Sequence, residues 1–203
     1  MLDAVIDLSH HQSSVDFVRV RAAGVLGVVH KATEGATSTD DHWCTRRELI
    51  ASVGLLAGAY HFGRQGDGAA QADHFLEVVG DPSGLLLALD VEPSTTSMGL
   101  ADAEAFVRRV HERIGRYPVV YGTRSYLDAI GVDTDSVLAS CSLWIARYAD
   151  TPGPMPRAWS AWHLWQRTDG VAGSGPKSCD GVGACDRDAW NGDEATLRAW
   201  WGR

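Results

Sequence analysis

Short runs of aliphatic residues alternate with amphipathic segments along most of the chain. The runs have the length of buried strands, and the segments carry apolar residues at helical spacing. Predicted strands lie at 4–8, 26–30, 55–62, 85–93, 119–121, 143–148, 163–166 and 184–190. Predicted helices lie at 15–23, 41–53, 67–79, 103–114, 125–130 and 191–201. The pattern is that of a mixed α/β protein.

The order of these elements favours a closed barrel. Alternating strands and helices indicate a parallel sheet with right-handed crossovers, and eight such strands close into a TIM-like (β/α) barrel. A full set of helices needs about 250 residues, whereas this chain has 203. The proline-containing stretch 149–161 and the glycine-rich stretch 169–184 lack a helical pattern. We therefore expect one domain, 1–203, with helices missing or shortened in its C-terminal half.

Composition narrows the choice of partners. The chain is 45% hydrophobic and 22% charged, with a net charge of −8 and no run of lysine or arginine, which argues against nucleic acid. No apolar stretch of 18 residues is present, so we expect no membrane insertion. The first predicted strand begins almost at Met1 without a signal-peptide pattern. The sequence leaves oligomeric state open, and we expect a monomer.

The four cysteines, Cys44, Cys141, Cys179 and Cys185, show no CxxC spacing of a zinc or redox site. Cys179 and Cys185 bracket a short loop, so a local disulfide and two free thiols are both compatible with the sequence. No metal or cofactor is predicted.

Two carboxylates at the end of the fourth predicted strand are the first candidate for catalysis. Asp90 and Glu92 are separated by one residue, so on a strand they point the same way, roughly 6.5–7 Å apart. Like charges at that distance hold one carboxyl protonated while the other is ionised, which suits acid/base chemistry. The alternative is a strand end that opens into solvent, with one acid capping the next helix.

Further acids and aromatic residues stand at the ends of the other predicted strands. In parallel barrels the site lies at the C-terminal ends of the strands. The residues there are Asp7, Lys31, Tyr60, Phe62, Tyr121, Arg147, Tyr148, Gln166 and Asp186. Carboxyl groups supply proton transfer and charge stabilisation, and aromatic faces suit sugar rings. No glycine-rich phosphate-binding motif is present. This composition predicts a carbohydrate-cleaving site.

Each of these residues also has a structural interpretation. Asp7 could pair with Lys31 inside the barrel, and Asp186 could cap a turn. Arg147 could orient an inner carboxylate instead of touching substrate. The tyrosines are equally compatible with ordinary core packing.

Eight short segments carry a resemblance to a known family. They are DLSHHQ (7–12), KATEG (31–35), GAYHF (58–62), LDVE (89–92), YPVVYG (117–122), LWIARY (143–148), LWQ (164–166) and CDRDAWNG (185–192). In this order they resemble the successive motifs of family 25 glycoside hydrolases, lysozymes of the N-acetylmuramidase type. The resemblance covers nearly the whole chain. It implies an incomplete β/α barrel that cleaves the β-1,4 bond between N-acetylmuramic acid and N-acetylglucosamine in the peptidoglycan of bacterial cell walls.

The resemblance also implies roles for individual residues. Glu92 matches the general acid, and Asp90 matches the acid that stabilises the positively charged intermediate through the substrate's N-acetyl group. Asp7 and Asp186 match acids lining the same cleft. The residues expected to hold the sugar are Tyr60, Phe62, Tyr121, Tyr148 and Gln166, and we add Lys31 and Arg147 as candidate substrate contacts.

Two motifs depart from the family pattern. The last one reads Asp186-Arg187-Asp188 where Asp-Leu-Asn is usual, which adds an acid and a base near the cleft. The first carries His10-His11 where an aromatic residue is common.

Two other functions remain as alternatives. One is a catalytically inactive barrel that only binds glycan, although such a protein has little use for a buried pair of acids. The other is a metal-dependent barrel hydrolase using Asp7, His10, His61 and Asp90. It lacks the His-x-His signature of a first strand, and His61 alternates with Tyr60 and so points away from the barrel interior.

Overall fold

The structure is a computed structural model that describes residues 1–203. Its strands are β1 (Leu2–Leu8), β2 (Gly27–Glu34), β3 (Ser38–Thr39), β4 (Leu56–Phe62), β5 (Leu86–Asp90), β6 (Val119–Gly122), β7 (Leu143–Ala146), β8 (Leu164–Thr168), β9 (Ser178–Cys179), β10 (Gly183–Ala184) and β11 (Asp186–Trp190). Its α-helices are α1 (Phe17–Ala22), α2 (Trp43–Ser52), α3 (Gly68–Val79), α4 (Leu100–Ile114), α5 (Arg124–Ala129) and α6 (Glu194–Trp200), and a 3₁₀ helix covers Val137–Ser140.

Eight of the strands form a closed barrel, as predicted. Neighbouring strands follow the order β1, β11, β8, β7, β6, β5, β4 and β2, and β1 pairs with β2 to complete the ring. The short β3 extends the ladder beside β2, while β9 and β10 form a separate hairpin. Closure leaves the barrel without a free edge of its own.

The direction of the last barrel strand differs from the expectation of a wholly parallel sheet. β11 runs antiparallel to both β1 and β8. The link from β8 contains the β9–β10 hairpin and no helix, and an antiparallel neighbour needs no helical crossover. As a result Asp186, the first residue of β11, is paired with Asp7 near the C-terminal end of β1.

The helices are incomplete in the C-terminal half, as predicted. α5 has only six residues, and no α-helix joins β7 to β8 or β8 to β11. Pro152, Pro154 and Pro156 lie in the first of these links, where each removes a backbone N–H donor that a helix would need. By contrast, Asp67 caps α3 by accepting a hydrogen bond from the Ala70 N–H.

The core has two parts, one inside the barrel and one between the barrel and the helices. Trp201 and Trp190 belong to the inner part, and the Trp201 indole donates to the Ala57 carbonyl at 2.7 Å. The Trp201 ring lies so close to Gly27 that an added Cβ would stand 2.7 Å from it. The N-terminal end of the barrel is therefore plugged, and any cavity must open at the other end.

Several outward-facing residues pack as the strand alternation predicts. His61 bonds to Thr33 and Gln71 and stacks on Phe106 in the outer core, and Trp165 is buried there as well. All four cysteines are free thiols, and only Cys44 is exposed. None of the helices combines the length and the apolar character needed to cross a membrane.

Candidate active site

A cavity of about 260 Å³ opens at the C-terminal end of the barrel. The candidate residues from the sequence that line it are Asp7, Lys31, Tyr60, Phe62, Asp90, Glu92, Tyr121, Tyr148, Gln166 and Asp186. Four further residues line it as well: Ser9, His11, Gln12 and Trp144. Ten of the eleven candidate residues from the sequence thus line one space; Arg147 is the exception.

Strand register brings residues that are distant in the chain to one level of the barrel. Phe62 pairs with Asp90, Asp90 with Tyr121, and Tyr121 with Trp144. Neighbouring strands lie about 4.8 Å apart, so these side chains form a continuous wall. On that wall a carboxyl stands between aromatic rings.

Asp90 and Glu92 face the same cavity. Asp90 ends β5 and is buried, while Glu92 follows the strand and is partly exposed. Burial raises the pKa of Asp90 well above its usual value, and the charge of Glu92 raises it further. Burial also raises the pKa of Glu92. The two carboxyls therefore titrate as a pair that holds on to a proton at higher pH than isolated acids would.

The hydrogen bonding of this pair distinguishes it from an ordinary strand end. Asp90 Oδ1 is buried and accepts no hydrogen bond within the protein, although buried carboxylate oxygens are normally satisfied. The N-cap of the following helix α4 is Gly99, so neither acid caps it. The alternative of a solvent-exposed strand end with a capping acid does not fit this arrangement.

Lys31 pairs with Glu34 instead of Asp7. Arg64 also bonds to Glu34, through Nε at 2.8 Å and Nη2 at 2.5 Å. The Lys31 ammonium and the Arg64 guanidinium lie 4.9 and 4.5 Å from the centre of the Phe62 ring, which is a cation–π distance. The Phe62 ring is thereby fixed at the cavity wall, and the predicted ion pair between Asp7 and Lys31 is not formed.

Gln166 connects three of the candidate side chains. Its Nε2 donates to Asp7 Oδ2 at 2.9 Å, and its Oε1 accepts from the hydroxyls of Tyr121 at 2.7 Å and Tyr148 at 2.9 Å. These bonds fix which way the amide points. The tyrosines are thus held by polar contacts at the cavity and are more than core packing.

Asp7 on β1 and Asp186 and Asp188 on β11 lie across the barrel from β5, which carries Asp90. Burial raises the pKa of Asp7 well above its usual value, and the charges of Asp186 and Asp188 add to this. Burial raises the pKa of Asp186 to about 6. Asp186 lines the cavity, so it does more than cap a turn.

Asp188 does not line the cavity but lies behind its wall, next to Trp144. It is fully buried and accepts a hydrogen bond from the Trp144 indole at 2.7 Å. Burial raises its pKa well above the usual value. This position could have been predicted from the sequence, because Asp188 is two residues after Asp186 on one strand and so faces the same side.

The other missed residues come from the first motif and from β7. His11 lines the cavity and its ring lies 4.2 Å from that of His10, whose Nδ1 is 3.0 Å from Asp40 Oδ2. The histidine pair thus occupies the place where an aromatic residue was expected. Trp144 could have been found from its even spacing to Tyr148.

Arg147, His10 and His61 do not line the active-site cavity. Arg147 is exposed and lines a different cavity, so the expectation that it lies in the cleft with the other candidates is wrong. The reason is the strand alternation, which sends Arg147 to the opposite side from Tyr148. His61 is in the outer core and His10 is bonded to Asp40, so the residues of the metal-dependent alternative do not converge.

Comparison with known proteins identifies the family. The model of glycosyl hydrolases family 25 matches residues 6–175. The chain belongs to glycosyl hydrolases family 25. The resemblance seen in the eight sequence motifs is therefore confirmed, and the protein is a glycoside hydrolase of the lysozyme and muramidase class.

Individual family 25 relatives cover most of the chain. An N,O-diacetylmuramidase of Chalaropsis sp. is 33% identical over 188 residues, which is 83% of this chain and 89% of the relative. Lysozyme M1 of Streptomyces globisporus is 29% identical across 96% of this chain and 69% of its own. A crystal structure of the bacterial lysozyme from Streptomyces coelicolor superposes with a TM-score of 0.85 at 30% identity, covering 99% of this chain and 97% of that one.

Proposed function

We propose that this family 25 hydrolase is a muramidase that cleaves the β-1,4 bond between N-acetylmuramic acid and N-acetylglucosamine in peptidoglycan. The observation that carries the proposal is the carboxyl pair of Asp90 and Glu92 in an aromatic-walled cavity. Glycosidases act through two such carboxyls flanking the bond that breaks. We further propose that residues 1–203 act as one catalytic unit, as a monomer, on the cell wall outside the cytoplasm.

Glu92 is the proposed general acid. It follows the strand and is the less buried of the pair, so its longer side chain reaches the leaving oxygen more readily. Burial raises its pKa, which keeps the carboxyl protonated closer to neutral pH, as proton donation requires. Transfer of that proton to the bridging oxygen allows the bond to the muramic acid carbon to break.

Asp90 is the proposed stabiliser of the positive charge that follows. Its Oδ1 is buried without a donor from the protein, so it can accept the N–H of the substrate's N-acetyl group. A carboxylate in that position favours attack of the acetyl oxygen on the adjacent carbon and stabilises the cation formed there. In the free protein the pKa of Asp90 is raised more than that of Glu92. The hydrogen bond from the substrate's N–H favours the ionised form of Asp90, which leaves the proton of the pair on Glu92 in the complex.

The remaining wall positions the sugar. Phe62 is fixed by two cations, and Tyr121 and Tyr148 are fixed by Gln166. Tyr60 and Trp144 complete the aromatic surface. Because these side chains are ordered by the protein itself, little conformational entropy is lost when the glycan binds.

The experiment is digestion of purified peptidoglycan, followed by borohydride reduction and hydrolysis. Cleavage by a muramidase places N-acetylmuramic acid at the new reducing end, so muramitol is expected. Release of glucosaminitol would show that the other glycosidic bond is cut. No new reducing ends, together with retained glycan binding, would instead support the alternative of an inactive glycan-binding barrel.

A further inference from the structure

A second cavity, of about 560 Å³, opens beside the candidate active site. Among the residues that line it are Thr123, Arg124, Asp128, Arg147, Pro152 and Pro154. Arg147 and Tyr148 are consecutive, and each lines one of the two cavities. Tyr121 and Trp144 line the first cavity, and Thr123 and Ala146, two residues further along the chain, line the second, so both cavities open at the C-terminal ends of β6 and β7. We call the second one the arginine cavity.

Arg147 is held in place chiefly through the main chain. Its N–H donates to the Gln166 carbonyl at 3.0 Å, and its own carbonyl accepts from the Trp165 indole at 2.8 Å. Gly153 lies so close to the guanidinium that an added Cβ would stand 1.8 Å from Nη1. The loop after β7 therefore wraps around this side chain and limits its orientations.

The guanidinium of Arg147 has no acidic partner. It donates only to Thr151, from Nη1 to the carbonyl at 3.2 Å and to Oγ1 at 3.4 Å. The Arg124 Nε lies 3.4 Å from Asp128 Oδ2, and Asp128 Oδ1 also accepts from the Arg157 backbone N–H. Two cations and one anion thus face the arginine cavity, which leaves it with a net positive charge.

The positive charge of the arginine cavity contrasts with the negative charge of the rest of the protein. The active-site cavity contains the carboxyls of Asp7, Asp90, Glu92 and Asp186, and the whole protein has a net charge of −8. A substrate group that carries a carboxylate is repelled by the first cavity and attracted by the second. The planar guanidinium suits a carboxylate because it can donate two parallel hydrogen bonds.

We propose that the arginine cavity binds a carboxylate of the peptide arm that peptidoglycan carries on its muramic acid units. The inference rests on the proposed function, since it is the glycan in the active-site cavity that delivers the arm. An extended peptide gains about 3.3–3.6 Å per residue, so an arm of a few residues extends well beyond the glycan that carries it. The proline side chains of the loop form a rigid wall for its apolar part. Arg147 is thus a specificity residue for peptide-bearing glycan.

The test compares two substrates made from the same cell wall. One is glycan with its peptide arms intact, and the other is the same glycan after an amidase has removed them. The variant is Arg147→Gln, and the matched control is Arg157→Gln, because Arg157 is exposed on the same link but outside the arginine cavity. Rates of reducing-end release give kcat and KM for each pair, and thermal melting verifies that the variants fold.

For Arg147→Gln we expect KM on peptide-bearing glycan to rise roughly three- to ten-fold with kcat unchanged. This is the effect of losing one hydrogen bond at an exposed site that stabilises the ground and transition states equally. KM on stripped glycan should not change, and Arg147→Lys should recover part of the loss. Amidation of the arm carboxylates should raise the wild-type KM similarly. An equal change on both substrates, or no change on either, would overturn the proposal. If the wild type cleaves neither substrate, the proposed function itself fails.

Discussion

Replacement of Asp186 by asparagine should stabilise the protein at neutral pH while weakening catalysis. Burial raises the pKa of this carboxyl from 3.8 to about 6. Each pKa unit corresponds to 1.36 kcal/mol, so keeping Asp186 ionised in the folded protein at pH 7 costs about 3 kcal/mol. Asparagine has nearly the same shape and no charge, and therefore does not incur this cost.

The sign of the effect follows from proton binding. Between pH 3.8 and about 6 the folded state binds more protons at Asp186 than the unfolded state, so this residue lowers wild-type stability as pH rises through that window. The stability difference between Asp186→Asn and wild type should be near zero at pH 3.5, about half of its maximum at pH 5, and close to its maximum of about 3 kcal/mol at pH 7.

Urea unfolding at these three pH values measures the difference directly. Asp41→Asn is the control, because Asp41 is exposed and its replacement should change stability little. A stabilisation by Asp186→Asn that is the same at all three pH values would show that the ionised Asp186 side chain does not destabilise the fold, as would a loss of stability that grows towards pH 7. Turnover of peptidoglycan by the variant should fall, because Asp186 lines the active-site cavity.

Three further predictions concern the support of the site and the barrel. Gln166→Met leaves Asp7 and two tyrosine hydroxyls without their partner, so kcat/KM should fall about tenfold; unchanged kinetics on purified glycan would show that this hydrogen-bond network has no role. Lys31→Met removes a cation that lowers the pKa of both Asp90 and Glu92, so the alkaline limb of the pH–rate profile should move to higher pH, and Lys31→Arg should restore it; a shift in the other direction would contradict the assignment. Gly27→Ala pushes a methyl group into the Trp201 ring and should cost about 1–3 kcal/mol in urea unfolding. Gly99→Ser, where an added Cβ meets open space, should leave stability almost unchanged, and equal losses in both variants would count against a close-packed barrel plug.

The barrel could be predicted because the hydrophobic pattern within each short segment indicates whether that segment is a strand or a helix and which of its faces is buried. The run from Leu86 to Asp90 is buried throughout, as a strand covered on both faces should be. The pattern within a segment does not indicate whether its strand runs parallel or antiparallel to its neighbours. β11 alternates like its neighbours but runs antiparallel to them, because direction depends on how the preceding link crosses the barrel.

The candidate site was predictable wherever strand ends and alternation were applied together. Alternation correctly separated Gln166 from Trp165, which the structure places inside and outside the barrel. The same rule would have separated Tyr148 from Arg147 and would have placed Asp188 inside the barrel, beside Trp144. Hydrogen bonds such as those of Gln166 could not be predicted from the sequence, since they depend on side-chain distances across several strands.

Turnover by Glu92→Gln, measured as reducing ends released from purified peptidoglycan, shows whether Glu92 is the proton donor. Glutamine keeps the size of the side chain but cannot donate the proton, so kcat should fall roughly 10²–10⁴-fold with little change in KM or melting temperature. Glu77→Gln, on the exposed face of α3, should behave as wild type. A folded Glu92→Gln protein that releases reducing ends at the wild-type rate would contradict the assignment of Glu92 as the proton donor.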